Sequence, residues 1–210
     1  MSDKKDKICT VILTGGLSTR MGGGIKSLTK FNKKTIFDRI IEKINNQCKY
    51  TIINSNKNNK ELNKYKLPII KDVLSGYLGP LAGIHASFYW IKLNIPKIDW
   101  LVTVPCDTPF LPDDLVKKLI LKAKKNKKDI VFAKSNNRTH PVIGIWKCNA
   151  SLFLNLEKKL LEGTRKIMYW AKDHAFDTED FDHELFDPFF NINSKEDLKK
   201  AKEIEDKYLL

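Results

Sequence analysis

Five of the ten glycines lie between residues 15 and 24, in Leu13-Thr-Gly-Gly-Leu-Ser-Thr-Arg-Met-Gly-Gly-Gly-Ile-Lys26. Glycine tolerates positive φ and lets backbone N–H groups approach a phosphate without side-chain obstruction. Arg20 can fork onto phosphate oxygens, and Lys26 supplies a point charge. The segment fits neither common phosphate motif. Lys26 follows Ile25 rather than Gly, so it is not a P-loop, and Ser27 stands where GxGxxG needs its last glycine. An ordinary flexible surface loop is the alternative.

Asp107 stands in Val-Pro-Cys-Asp-Thr-Pro, between two prolines whose fixed φ stiffens the turn. A rigid lone carboxylate suits Mg²⁺, which takes one or two protein carboxylates and fills its octahedron with phosphate oxygens and water. Capping of a helix near Asp113, or stabilising the turn, would use the same residue type. Asn54 and Asp72 each end a short apolar run, and either could hydrogen-bond a base or ribose or serve as a turn residue. Gly79-Pro-Leu-Ala-Gly83 opens an apolar helix whose first amides make a polar or anion site, or an ordinary helix start with Pro80 at its first position.

Other groups carry less. His85, His140, His174 and His183 show no metal-ligand spacing, and neither do Cys9, Cys48, Cys106 and Cys148. The cysteines read as free core thiols in a reducing compartment, and His85 as a core histidine. His140-Pro141 is retained as a ligand-contact candidate. No serine sits in a nucleophile elbow. Residues 173–187 hold seven acids and no Lys or Arg, which predicts a solvated loop.

These residues need elements to position them. Ile8–Leu13 is a continuous apolar run typical of a buried parallel strand. Further strands are predicted at 50–54, 68–70, 99–104, 129–133, 142–146 and 189–192. Helices are predicted at 35–44, 81–93, 113–125, 148–161, 164–174 and 194–207, the last with a Ser194-x-x-Asp197 start. This alternation predicts one α/β domain, a three-layer α/β/α sandwich around a mostly parallel sheet. In such sheets ligands bind beyond the carboxyl ends of the strands, where the candidates above fall.

The chain has 210 residues, enough to bury ~70% of its unfolded surface without a disulfide or metal staple. Its net charge of +13 is concentrated in residues 1–105, which places an anionic partner there. Nucleic acid is not the expected partner. Lys outnumbers Arg 34 to 4, whereas bidentate phosphate contacts and base reading favour Arg, and no RNA- or DNA-binding signature is present. Sixteen asparagines and abundant isoleucine accompany the lysines, as codon bias in an AT-rich genome would produce. The longest uncharged stretch, Val73–Ile91, is broken by glycine, serine and proline, so it reads as a loop entering a buried helix rather than a membrane span. A soluble, cytoplasmic protein is expected.

Taken together, Leu-Thr-Gly-Gly-x₃-Arg-Met-Gly-Gly…Lys26, Gly79-Pro-Leu-Ala-Gly83, Pro105-Cys-Asp-Thr-Pro109, His140-Pro141 and Asn191-Ile-Asn193-Ser-x-Glu-Asp resemble the molybdenum cofactor guanylyltransferases. These are nucleotidyltransferases with a Rossmann-like fold. The match is collinear from about residue 8 to residue 200. The resemblance implies Mg²⁺-dependent transfer of GMP from GTP to the phosphate of Mo-molybdopterin, with release of pyrophosphate. It implies that Leu13, Thr14 and Gly15 meet the GTP and Lys26 its phosphates. Asn54 and Asp72 would meet the nucleoside side, and Asp107 would hold Mg²⁺. Arg20, Gly23 and Gly79 fall at positions tied to nucleotide handling, and Asn191 and Asn193 at the molybdopterin side. A nucleotide half at about 8–110 and a pterin half at about 111–200 follow, as does transient contact with proteins that insert molybdenum or accept the labile cofactor.

Two positions depart from the family pattern. Ile25 stands where Asp is common before the lysine, and Thr14 where Ala is usual. Neither change removes a phosphate or metal ligand, so the effect is expected in the loop's own hydrogen bonding. The rival expectations are cytidylyl transfer to the same cofactor, another small-molecule nucleotidyltransferase, and a nucleotide-binding regulator without turnover.

Overall fold

The computed structural model describes residues 7–14, 26–57, 60–76 and 78–209, with Lys26 described by its backbone alone. The strands are β1 (Ile8–Leu13), β2 (Lys30–Phe31), β3 (Lys34–Thr35), β4 (Tyr50–Asn54), β5 (Ile69–Ile70), β6 (Trp100–Pro105), β7 (Ile130–Ser135), β8 (Arg138–Lys147) and β9 (Phe176–Asp180). The helices are α1 (Ile36–Asn45), α2 (Pro80–Asn94), α3 (Leu115–Lys125), α4 (Ala150–Leu161), α5 (Ile167–Ala171) and α6 (Lys195–Tyr208).

Seven strands form one sheet in the order β5-β4-β1-β6-β8-β7-β9, and β2 and β3 form a separate small ribbon. The pairs β5–β4, β4–β1, β1–β6 and β7–β9 are parallel, while β6–β8 and β8–β7 are antiparallel. The predicted three-layer, mostly parallel α/β architecture is therefore the fold. β1 lies between β4 and β6 in the sheet interior, with all six residues buried. Its alternation feeds both layers. Ile8 and Ile12 join the core built with α1, α3 and α6, while Cys9, Val11 and Leu13 join the core built with α2, α4 and α5.

Local chemistry fixes the helix starts. Ser194 Oγ accepts from Asp197 N–H at 3.1 Å, and Asp197 Oδ2 accepts from Ser194 N–H at 3.0 Å, a reciprocal cap that stops α6 from fraying. Thr35 and Asp38 form the same arrangement at α1. Burial would raise the Asp38 carboxyl, but hydrogen bonds from the Tyr65 hydroxyl and from Thr35 outweigh it and hold it down to about 2. Among the described residues no helix is long and apolar enough to cross a membrane, and Val73–Ile91 runs into the largely buried α2.

Three predicted elements differ. The run at 189–192 is not a strand. Phe189 and Ile192 are buried as separate anchors, and the backbone turns around Asp187, whose carbonyl accepts from Phe190 N–H at 3.1 Å. The edge strand lies instead at β9, inside the acidic stretch expected to be a loop. There Lys122 lies 3.7 Å from Glu179 and Lys134 lies 3.1 Å from Asp180, while Asp177 accepts from Asn126. A charged edge strand resists pairing with other chains. The predicted helix 164–174 is reduced to α5, residues Ile167–Ala171.

Candidate active site

The parallel strands end in register. Leu13 is level with Asn54 on one side and with Pro105 on the other, and Asn54 is level with Ile70. Residues just beyond these four positions must therefore share one edge of the sheet. Cys106 N–H donates to Leu13 carbonyl at 3.1 Å, extending the β1–β6 pairing to the threshold of Asp107.

To the β4 side of Leu13 a polar network forms. Thr14 donates to the Asn54 carbonyl through its N–H at 3.0 Å and its hydroxyl at 2.7 Å. Asn54 Nδ2 donates to Asp72 Oδ1 at 2.9 Å. Asn56 completes the arrangement, donating from Nδ2 to Asp72 Oδ2 at 2.7 Å and accepting at Oδ1 from Asp72 N–H at 2.8 Å. Both Asp72 oxygens are thus oriented by amides, an arrangement suited to accept hydrogen bonds from a base edge or ribose.

α2 closes this side. Gly79 caps it with φ +69° and ψ −165°, a conformation that disfavours any Cβ, and Pro80 takes the first helical position. One turn on, Gly83 lies against the network. A Cβ there would sit 2.5 Å from Asn54 Oδ1 and 2.7 Å from Leu13 Cδ2. The helix can approach the strand ends only because that position lacks a side chain.

To the β6 side lies a second cluster. Asp107 is half-buried, with Oδ1 fully enclosed. Its carbonyl accepts from Ile192 N–H at 2.9 Å. The buried Thr108 hydroxyl donates to Asn191 Oδ1 at 2.6 Å. This bond takes the carbonyl end of the Asn191 side chain and leaves its NH₂ as the end able to donate to a ligand. Asn193 sits two residues further along, where its N–H donates to Asp197 Oδ2 at 2.8 Å beside the α6 cap.

The structure therefore unites Leu13, Thr14, Asn54 and Asp72, and separately ties the Asp107–Thr108 turn to Asn191 and Ile192, through Thr108 to Asn191 and Ile192 to Asp107. Gly15, Arg20 and Gly23 lie outside the described residues. Lys26 begins a short 3₁₀ turn, Lys26–Leu28. Asn56, Gly83 and Thr108 are additions that sequence reasoning missed as participants. Elsewhere, His85 is buried in α2 with Nε2 3.3 Å from Glu157 Oε1, and so belongs to the core as expected. Arg39 is not an anion site either. Its guanidinium lies 3.9 Å from the Phe31 ring centroid and pairs with Glu205 at 2.6 Å.

Comparison with known proteins identifies the family and the fold. The model of the MobA-like NTP transferase domain matches residues 10–175. A protein from Rhodopseudomonas palustris (strain BisB5) named molybdenum cofactor guanylyltransferase is 36% identical over 195 residues, covering 92% of each chain. One of the same name from Shewanella piezotolerans is 34% identical, covering 93% of this chain and 92% of its own. Among solved structures, molybdopterin-guanine dinucleotide biosynthesis protein A from Archaeoglobus fulgidus superposes with a TM-score of 0.76 at 26% identity, covering 95% of this chain and 99% of its own. A 4-diphosphocytidyl-2C-methyl-D-erythritol synthase from Anaerococcus prevotii shares the fold at 12% identity, with a TM-score of 0.69 over 95% of this chain and 96% of its own. The chain belongs to the molybdenum cofactor guanylyltransferase family and is a nucleotidyltransferase of Rossmann-like fold.

Proposed function

We propose that the chain transfers GMP from GTP to the phosphate of Mo-molybdopterin, releasing pyrophosphate and requiring Mg²⁺. The observation that carries this reading is the pair of polar clusters flanking the Leu13 strand end, Thr14–Asn54–Asp72 on one side and Asp107–Thr108–Asn191 on the other. A reaction that joins two substrates through one phosphorus needs two such neighbouring sites.

In the proposed reaction an oxygen of the pterin phosphate attacks the α-phosphorus of GTP. The new O–P bond forms as the bond to the bridging α,β oxygen breaks, and pyrophosphate leaves with that electron pair. The attacking phosphate oxygen is already anionic, so no side chain need abstract a proton. The protein's task is positioning and charge stabilisation. Leu13, Thr14, Asn54 and Asp72 bind the nucleoside side. Gly15, Gly23, Arg20 and Lys26 cradle the phosphates, and the start of α2 at Gly79 closes over the nucleotide. Asn191 and Asn193 hold the pterin.

Asp107 fits the metal. It is an oxygen donor held at a strand's carboxyl end, and no cluster of three His, Cys, Asp or Glu exists among the described residues that would build an all-protein cage around it. Mg²⁺ held there would neutralise charge developing on the phosphate oxygens. The nucleotide residues fall within about 8–110, and the asparagines of the acceptor side within about 111–200.

A competitive titration tests the substrate. With Mg²⁺ present, GTP is expected to displace a fluorescent guanine nucleotide at least tenfold more effectively than CTP. Preferential binding of CTP would overturn the guanylyl assignment.

A further inference from the structure

The asparagines on the acceptor side sit on a segment that forms neither strand nor helix, between β9 and α6. Something outside the site must hold it. The ties converge on three side chains that the proposed chemistry does not use, Ser135, His140 and Asp187.

Ser135 ends β7 and is fully buried. Its hydroxyl donates to Asp187 Oδ1 at 2.7 Å and lies 2.8 Å from His140 Nε2. A hydroxyl has one proton. Because that proton goes to Asp187, His140 Nε2 must be the donor to Ser135. The chain therefore runs His140 Nε2–H to Ser135 Oγ–H to Asp187 Oδ1. Burial lowers the His140 pKa, the Asp187 charge raises it and Arg138 lowers it, with burial the largest effect. The same Asp187 Oδ1 accepts from Phe189 N–H at 2.9 Å. The His140 ring packs on Phe189 with centroids 4.9 Å apart. Three residues further, Ile192 N–H reaches the Asp107 carbonyl, and Asn191 between them meets Thr108.

The sheet is shaped to permit this. Phe132 pairs with Gly144, yet the next residue, Ala133, pairs with His140, so residues 141–143 bulge out of register. Without that bulge Ala133 would pair with Ile143, and His140 would not lie diagonally across from Ser135. The Asn136–Asn137 turn, with φ of 47° and 58°, closes the hairpin tightly enough to bring the two together.

We propose that Ser135, His140 and Asp187 form a latch that positions the acceptor-binding segment against the Asp107 turn, so that they govern use of the molybdopterin substrate without touching it. This rests on the proposed guanylyl transfer, and assigns positioning residues rather than catalytic ones.

Variants of the full chain test it. D187A and H140A are expected to raise KM for molybdopterin at least tenfold while leaving Kd for GTP within twofold. D187N keeps an oxygen acceptor at Oδ1, and H140Q restores a nitrogen donor near the place of Nε2, so both should recover most of the loss. Amide hydrogen exchange provides a readout independent of activity. In D187A the amides of Phe189 and Ile192 should exchange at least tenfold faster, while those of β1 should not. If the wild-type chain transfers no guanylyl group, the functional reading fails, and exchange still decides the latch. Unchanged exchange at Ile192 in D187A, an equal loss of GTP affinity, or a D187N as impaired as D187A would overturn it.

Discussion

Replacing Asp107 with alanine is expected to reduce guanylyl transfer by roughly 10³-fold or more while leaving the fold intact. A loss of this size corresponds to about 4 kcal/mol of transition-state stabilisation, the upper range for removing one preorganised electrostatic group. One contact that ties the Asp107 turn to the 189–192 segment is kept by the substitution: the carbonyl that accepts from Ile192 N–H is still present in alanine. What is lost is a half-buried carboxylate at the end of the central parallel strands, the group proposed to hold Mg²⁺. The melting temperature should therefore stay near the wild-type value, and the gain in GTP affinity that Mg²⁺ is expected to give the wild type should vanish. Single-turnover kinetics with saturating Mg²⁺ provide the check. Retained turnover would remove Asp107 from the metal site.

The second large effect is expected at Gly83. Alanine there places a Cβ 2.5 Å from Asn54 Oδ1 and 2.7 Å from Leu13 Cδ2, distances that folded proteins do not sustain. Asn54 is poorly placed to yield. Its carbonyl holds Thr14 twice, and its Nδ2 holds Asp72. Either α2 moves outward or Asn54 releases Asp72. Overpacking of this kind costs about 1–3 kcal/mol. The distinguishing consequence is in binding, where GTP affinity should fall roughly 10- to 100-fold, since both responses displace the network proposed to meet the nucleoside. Gly144 provides the control. A Cβ there would also clash, 2.8 Å from the Val131 carbonyl, but between β7 and β8, away from these residues. G144A should lose stability while retaining GTP affinity in the folded fraction. Equal affinity losses in the two variants, measured by titration calorimetry, would detach Gly83 from the site.

Much of this candidate site is legible in the sequence because the fold imposes a simple rule. Parallel strands end on one edge, so the polar residue after each apolar run is a candidate. Thr14, Asn54, Asp72 and Asp107 follow from it. The partners of these residues do not. Asn56 stands two positions past its strand, and reads as another loop asparagine until Asp72 is seen between two amides. Thr108 and Asn191 meet across 83 positions, a separation that hydrophobic periodicity says nothing about.

The errors share a cause. Phe189–Ile192 has strand-like composition, but its apolar side chains fill the core as isolated anchors while its amides bond to Asp187 and Asp107. Phe176–Asp180 has the reverse character. Its acids argue against a strand until Lys122, Lys134 and Asn126 are seen to partner them. In both places tertiary contacts override local propensity. The net charge of +13 is similarly divided. Part of it is used internally, as in Arg39, and its bias toward residues 1–105 is what suits the proposed phosphate substrates.

Stoichiometry of pyrophosphate release tests the central claim most directly. Purified protein given GTP, Mg²⁺ and Mo-molybdopterin should release one pyrophosphate for each GMP joined to the pterin, and none when the pterin is omitted. Pyrophosphate release that does not depend on the pterin, or pterin consumed only when CTP replaces GTP, would contradict it.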